Sequence, residues 1–241
     1  MNAQGGFTWP RGVRAAVSLS FDDGRPSQVD EGLPILDAHG LKATFYVNPG
    51  RMLGKLEGWR KAVASGHEIG NHTASHPCSG NFSWSRNNAL EDYTLERMEE
   101  EIGECNERVR DALGVTPRTF GYPCGQTFVG RGEGLRSYVP LVARLFLAGR
   151  SFWAECMNDP RVCDLANLAS FLSDHLEYGL MRAEMNLGAM VGEACKTGSW
   201  LILTCHDVGR TPHHQTTTIG ELDGLCRLLK DPARGIWTGT V

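Results

Sequence analysis

With 241 residues, the chain can bury one substantial core, and 41% hydrophobic and 22% charged residues are those of an ordinary globular protein. The formal net charge, 24 − 28 = −4, offers no basic field for a nucleic-acid partner. No run approaches the roughly 20 apolar residues that a bilayer-spanning helix needs, so no membrane partner is expected.

The first residues, MNAQGGFTWPRGVRAAVSLSF, carry neither an apolar h-region nor a cleavage site, which predicts a cytoplasmic protein. Val17 to Phe21 reads as a buried strand that breaks at once into the turn Asp22-Asp23-Gly24. Val29 to His39 has apolar residues at helical spacing and stops at Gly40. Ala43 to Val47 is the next strand, ended by Asn48-Pro49-Gly50. A short helix over Leu56 to Ser65 leads into a short strand at His67 to Gly70.

The turn-rich segment after His76 reads as a loop, and Leu90 to Leu113, closed by Gly114, as the longest helix. Thr119 to Tyr122 predicts a strand running into Pro123-Cys124-Gly125, and the glycine-rich stretch 126–136 a surface loop. A helix over Tyr138 to Leu145 and a strand near Phe146 to Ala148 come next. Arg150 to Leu165 has no clear period and is expected to cross the top of the fold. Leu168 to Leu172 (strand), Met181 to Lys196 (helix), Trp200 to Cys205 (strand), Ile219 to Leu229 (helix) and Ile236 to Thr240 (strand) complete the order. No repeat or dividing linker interrupts it, so residues 1–241 are expected to form a single domain.

The eight cysteines contain no CxxC pair. Most are read as small buried hydrophobes in a reducing compartment, not as a disulfide framework or a zinc knuckle.

Repeated β-then-α units imply a parallel sheet with helices outside it, closed as a barrel or left open. Either way, functional residues gather past the carboxyl ends of the strands. Asp22 and Asp23, His72 and His76, and His206 all stand there, so they can share one rim. On a helical turn, His72 and His76 would project from one face, and one added carboxylate would leave open positions on Zn²⁺ or a similar ion. Alone, HxxxH fits surface or core histidines equally well. Asp22-Asp23 fits a turn or N-cap, or a pair in which one acid binds metal and its neighbour takes a proton from water. His206, capping an apolar strand, is either a satisfied core histidine or a general acid.

SFDDG at 20–24, GHEIGNHTASH at 66–76 and LILTCH at 201–206 resemble, in order and spacing, three motifs of the polysaccharide deacetylases. These form the NodB homology superfamily, carbohydrate esterase family 4. The resemblance extends through AVSLSFDDG, LKATFYV and the closing Ile-Trp segment. It implies an α/β fold, a distorted (β/α) barrel, and hydrolysis of an N-acetyl or O-acetyl group by metal-bound water. By the same resemblance Asp23, His72 and His76 hold a divalent metal, Zn first, with Co, Ni or Mn as alternatives. Asp22 would be the general base and His206 the acid that protonates a departing amine.

Two departures stand out. The family's usual Arg-Pro-Pro-aromatic-Gly corresponds here to Gly121-Tyr122-Pro123-Cys124-Gly125, without the arginine that orients the catalytic aspartate. Cys124 stands where an aromatic would wall the pocket, its N–H still suited to an oxyanion, and Tyr122 is the replacement aromatic surface. No Asp-rich fourth motif is visible, and in the stretch 150–159 Arg150 or Glu155 is either a substitute for the orienting groups or an ordinary surface charge. Phe82, Trp84 and Trp153 are candidate stacking surfaces for a sugar. The leading reading is a metal-dependent deacetylase of an acetylated carbohydrate. The alternatives are a C–N hydrolase of a small non-sugar amide and an impaired relative that only binds carbohydrate. Nothing in the sequence sets an oligomeric state.

Overall fold

The computed structural model describes residues 6–152, 156–174 and 186–241. Among them, no helix is long and apolar enough to cross a membrane.

The fold is organised by β1 (Ala15–Asp23), whose nine residues are all buried. One edge of β1 pairs with β9 (Trp200–Cys205) over Ala16–Phe21. Its other edge is shared by β12 (Ile236–Thr238) near the start and β2 (Thr44–Val47) near the end. Beyond β2 come β3 (Glu68–Asn71), β4 (Thr119–Gly121) and β7 (Ala148–Arg150); beyond β9 lies β8 (Phe171–Leu172). Every pairing in this eight-stranded sheet is parallel. A bridge between Arg150 and Leu168 ties the β7 edge to the segment that becomes β8, so the sheet curls into a barrel. The expected α/β architecture, a distorted parallel barrel, is the one formed.

Helices flank the sheet because their apolar stripes have only its faces to cover. The residues of α1 (Leu33–Ala38), α3 (Leu56–Ala64), α4 (Leu95–Leu113), α6 (Leu187–Thr197) and α7 (Ile219–Leu229) pack with the strands around Phe21, Phe45 and Trp59. Behind β4, helix α5 (Val139–Leu145) closes a second cluster around Phe120, Tyr122 and Tyr138.

Several boundaries differ from expectation. The long helix begins at Leu95, because the Thr94 hydroxyl accepts from Arg97 N–H and caps it there. Leu90–Asp92 is a separate single turn. The stretch expected as plain loop folds back on itself, pairing β5 (Phe128–Val129) with β6 (Arg136–Ser137). The strand expected near Phe146 lies at β7, so Arg150 ends a strand instead of opening a crossing segment. The part of the Met181–Lys196 helix before Asn186 lies outside the described residues. Cys105, Cys205 and Cys226 are buried thiols, as expected, whereas Cys78 and Cys124 form a disulfide and Cys156 is exposed.

Candidate metal and acid–base site

Asp22 and Asp23 are the last residues of β1. Successive strand residues point to opposite faces, but Asp23 adopts a left-handed φ of 77°, which breaks that alternation. Both carboxylates therefore reach one imidazole. His72 Nε2 lies 3.9 Å from Asp22 Oδ2 and 3.7 Å from Asp23 Oδ1. His76 Nε2 lies 3.3 Å from the same Asp23 Oδ1. The HTASH segment is not a helical turn, so the face-sharing argument for the two histidines is wrong. Thr73 and His76 both take left-handed φ values, 61° and 56°, and the bent chain turns the rings together. Thr73 Oγ1 accepts from His76 N–H and holds the bend. Backbone strain of this kind costs of order 1–3 kcal/mol per residue and collects at functional sites.

The donor set fits a divalent ion. One donor atom each from Asp23, His72 and His76 lie within 4.8 Å of one another. His72 Nδ1 is bonded to the Gly121 carbonyl at 2.7 Å, which puts the proton on Nδ1 and the lone pair of Nε2 in the site. Burial lowers His72 against the pull of Asp22 and Asp23, and burial with the neighbouring His72 brings His76 down to about 4. Both rings are thus neutral ligands near pH 7. Burial works against the Asp23 carboxylate, but His76, His206, His72 and Arg25 hold it well below the usual range. Its other oxygen, Oδ2, accepts from Arg25 and Arg51, both at 2.8 Å.

Asp22 has a different environment. Its Oδ1 is held by the fully buried Arg150 guanidinium, and Oδ2 has no hydrogen-bond partner among the described residues. Arg150 also donates to Thr204 Oγ1 at 3.1 Å and lies over the Tyr46 ring. The guanidinium missing from the third motif is therefore delivered from the end of β7. Glu155 and Trp153 lie outside the described residues.

His206, just past β9, is bonded through Nδ1 to Asp174 Oδ2 at 2.6 Å. Asp174 Oδ1 accepts from His206 N–H and Thr217 Oγ1. Burial opposes the imidazolium, yet the Asp174 carboxylate outweighs it and raises His206 above its ordinary value. Asp174, which lies outside the stretch 150–159, is the acid that orients His206, while Arg150 from that stretch sits on Asp22. A usable signal existed: Asp174 follows a strand end, as the other site residues do. Gln28, also unforeseen, donates to the carbonyls of Asp22 and His206 and latches the ends of β1 and β9 together.

Tyr122 is not a pocket wall. It is fully buried in the second cluster, and its hydroxyl donates to the Ala166 carbonyl at 2.6 Å. Cys124 offers no free thiol to a substrate, being bonded to Cys78. Trp84, 61% exposed, stacks on Phe82, and its ring centroid lies 5.9 Å from that of His76.

Residues 11–130 match the family model described as polysaccharide deacetylase. Among curated proteins, chitin deacetylase 1 of Cryptococcus neoformans is 36% identical over 107 residues, covering 44% of this chain and 20% of that protein. The peptidoglycan-N-acetylglucosamine deacetylase PgdA of Listeria monocytogenes is 31% identical over 117 residues, 45% of this chain and 21% of that one. The chain thus spans only about a fifth of the length of these two relatives. Solved structures share the fold along most of the chain. Peptidoglycan deacetylase PdaC of Bacillus subtilis superposes with a TM-score of 0.56 at 17% identity, over 96% of this chain and 90% of that one. A family 4 carbohydrate esterase of Streptomyces lividans, in complex with acetate, gives 0.56 at 17% identity, over 93% and 92%.

Proposed function

The chain belongs to the polysaccharide deacetylase family over residues 11–130, and from that membership we propose that it is a metal-dependent hydrolase removing acetyl groups, N-acetyl first, from a carbohydrate. The observation that carries this reading is the division of labour at the end of β1. Asp23 turns one oxygen to His72 and His76, while Asp22, pinned through Oδ1 by Arg150, keeps Oδ2 beside them without a hydrogen-bond partner among the described residues.

A divalent cation held by Asp23 Oδ1, His72 Nε2 and His76 Nε2 would supply Lewis acidity towards water and the acyl oxygen. Asp22 Oδ2 accepts the proton of the attacking water. Arg150 fixes that carboxylate through Oδ1 and leaves Oδ2 towards His72. His206 presents Nε2, its Nδ1–H held by Asp174, and donates the proton that a poor amine leaving group requires. Trp84, with Phe82, offers a flat apolar face for a sugar ring.

The missing third-motif arginine was the feature favouring an impaired, carbohydrate-binding relative, and Arg150 removes that support. Turnover decides between the remaining substrate classes. Protein loaded with Zn²⁺ or Co²⁺ is assayed for acetate release from N-acetylated oligosaccharides, and beside it for hydrolysis of small cyclic amides. Acetate release with a free amine formed is expected. Hydrolysis of the small amides alone would replace the carbohydrate, and no turnover on either would return the binding reading.

A further inference from the structure

The Cys78–Cys124 disulfide ties the loop that follows His76 to the turn that follows β4, and it does so against a metal ligand. The His76 ring stands between two donor groups. Its Nε2 faces Asp23 Oδ1 at 3.3 Å, and its Nδ1 faces Cys78 Sγ at 3.7 Å. Donor atoms of His76, Cys78 and Cys124 lie within 4.8 Å of one another, as close a set as Asp23, His72 and His76.

We propose that opening this disulfide creates a second metal site, in which the thiolates of Cys78 and Cys124 and Nδ1 of His76 bind a thiophilic divalent ion such as Zn²⁺, in competition with the Asp23–His72–His76 site. The distances favour it. Tetrahedral zinc with bonds of about 2.3 Å to sulfur and 2.0 Å to nitrogen places those atoms about 3.5 Å apart, close to the 3.7 Å found. The two Cα atoms stand 6.2 Å apart, so side-chain rotation alone can part the sulfurs to the roughly 3.8 Å that such an ion needs. Cys78 is fully buried and Cys124 half-buried, and both are placed by local bonds. Cys78 N–H donates to Ser85 Oγ, and Gly125 N–H to the Tyr122 carbonyl.

The competition follows from the imidazole. A neutral ring has one lone pair, so an ion on Nδ1 sends the proton to Nε2. That N–H then points at Asp23 Oδ1, and the first site loses its third ligand. The chemistry balances with a trialkylphosphine as reductant. Phosphorus gives two electrons and takes oxygen from water, the S–S bond breaks, and the water's protons pass to the two sulfurs. Zn²⁺ then displaces those protons to solvent. Thiolate ligands suit Zn²⁺ over Mg²⁺ or Ca²⁺, which sets the class of ion.

Cobalt reads the new site out without any turnover, so its formation is tested independently of the deacetylase reading, and only the inhibition by Zn²⁺ rests on that reading. Oxidised and phosphine-reduced proteins are loaded with Co²⁺ and their absorption spectra compared, with thiols counted in parallel. Reduced wild type should show an intense near-ultraviolet thiolate-to-cobalt band that is absent from oxidised protein. The double variant Cys78→Ser/Cys124→Ser, treated with the same reductant, should lose it. Excess Zn²⁺ should inhibit reduced protein at least tenfold more than oxidised. Two additional thiols with no new band would overturn the proposal, as would a band that survives in Cys78→Ser/Cys124→Ser, since it would come from other cysteines. If the bond resists reduction, protein expressed and purified under phosphine, never oxidised, gives the same two readings.

Discussion

Asp174→Asn tests the acid half of the site. In the native protein Asp174 Oδ1 accepts from His206 N–H and Oδ2 holds His206 Nδ1. A backbone N–H cannot turn away, so the asparagine oxygen is drawn to it and the amide NH₂ is left facing Nδ1. The ring must then accept at Nδ1, which disfavours its cation. A hydrogen bond to a charged partner contributes about 1.5–3 kcal/mol. At about 1.4 kcal/mol per pKa unit, His206 should fall by roughly one to two units. His206 acts protonated, so activity is lost as pH rises through its pKa, and a lowered pKa moves that loss to lower pH. The alkaline limb of kcat/KM for an N-acetyl sugar should shift down by about one to two units, with a rate loss of about 10- to 100-fold above it. An activated acetyl ester, whose leaving group needs no proton, should keep its profile. The stability cost should be greatest below pH about 6.5 and shrink as pH rises through the raised native value. An unmoved limb, or equal shifts on amide and ester, would refute the assignment of His206 as acid.

His72→Ala should lose bound metal by elemental analysis, whereas Asp22→Asn should keep it and lose about 10²- to 10⁴-fold in kcat; equal metal loss in both would mean the roles are misassigned. Arg150→Met strands the buried Asp22 carboxylate, at a cost of about 3–5 kcal/mol and about 6–20 °C in Tm by thermal melting. Trp84→Ala should raise KM for an acetylated oligosaccharide about 2- to 12-fold while leaving hydrolysis of a small acetyl ester unchanged, and equal effects on both would remove the stacking role.

What the sequence disclosed of this site depended on how locally each residue is placed. Asp22, Asp23, His72, His76 and His206 stand at the ends of strands with strong apolar signals, so strand-end reasoning brings them to one rim. The convergence of His72 and His76 was expected for the wrong cause, since left-handed φ values at Thr73 and His76 leave no periodic trace. Asp174 was missed although a strand was expected at Leu168 to Leu172, because nothing in the sequence links the acid just past that strand to His206, 32 residues on. The disulfide was missed because 46 residues separate its cysteines, and only the sheet brings their loops together. Tyr122 was misplaced because an aromatic beside a motif reads alike whether it faces substrate or core. Its hydroxyl had a carbonyl partner on the far side, at Ala166.

The relocated arginine is part of a larger rearrangement inside the barrel. Arg150 pairs with Gly121 across β4 and β7, yet its guanidinium must pass β4 and reach Asp22 on β1. It can do so only because Gly121 has no side chain. A Cβ there would stand 3.0 Å from Arg150 Nη2 and 2.7 Å from the Tyr46 ring. Gly70 makes the same concession one strand over, where a Cβ would come within 2.5 Å of that ring. Two glycines thus vacate the volume in which Tyr46 and Arg150 lie together, 4.7 Å from ring centroid to guanidinium. The glycine that opens the third motif and the arginine that ends β7 are therefore one device split between two strands. A side chain at either glycine would displace the guanidinium and uncouple Asp22 from its partner, with every residue usually counted as catalytic still in place.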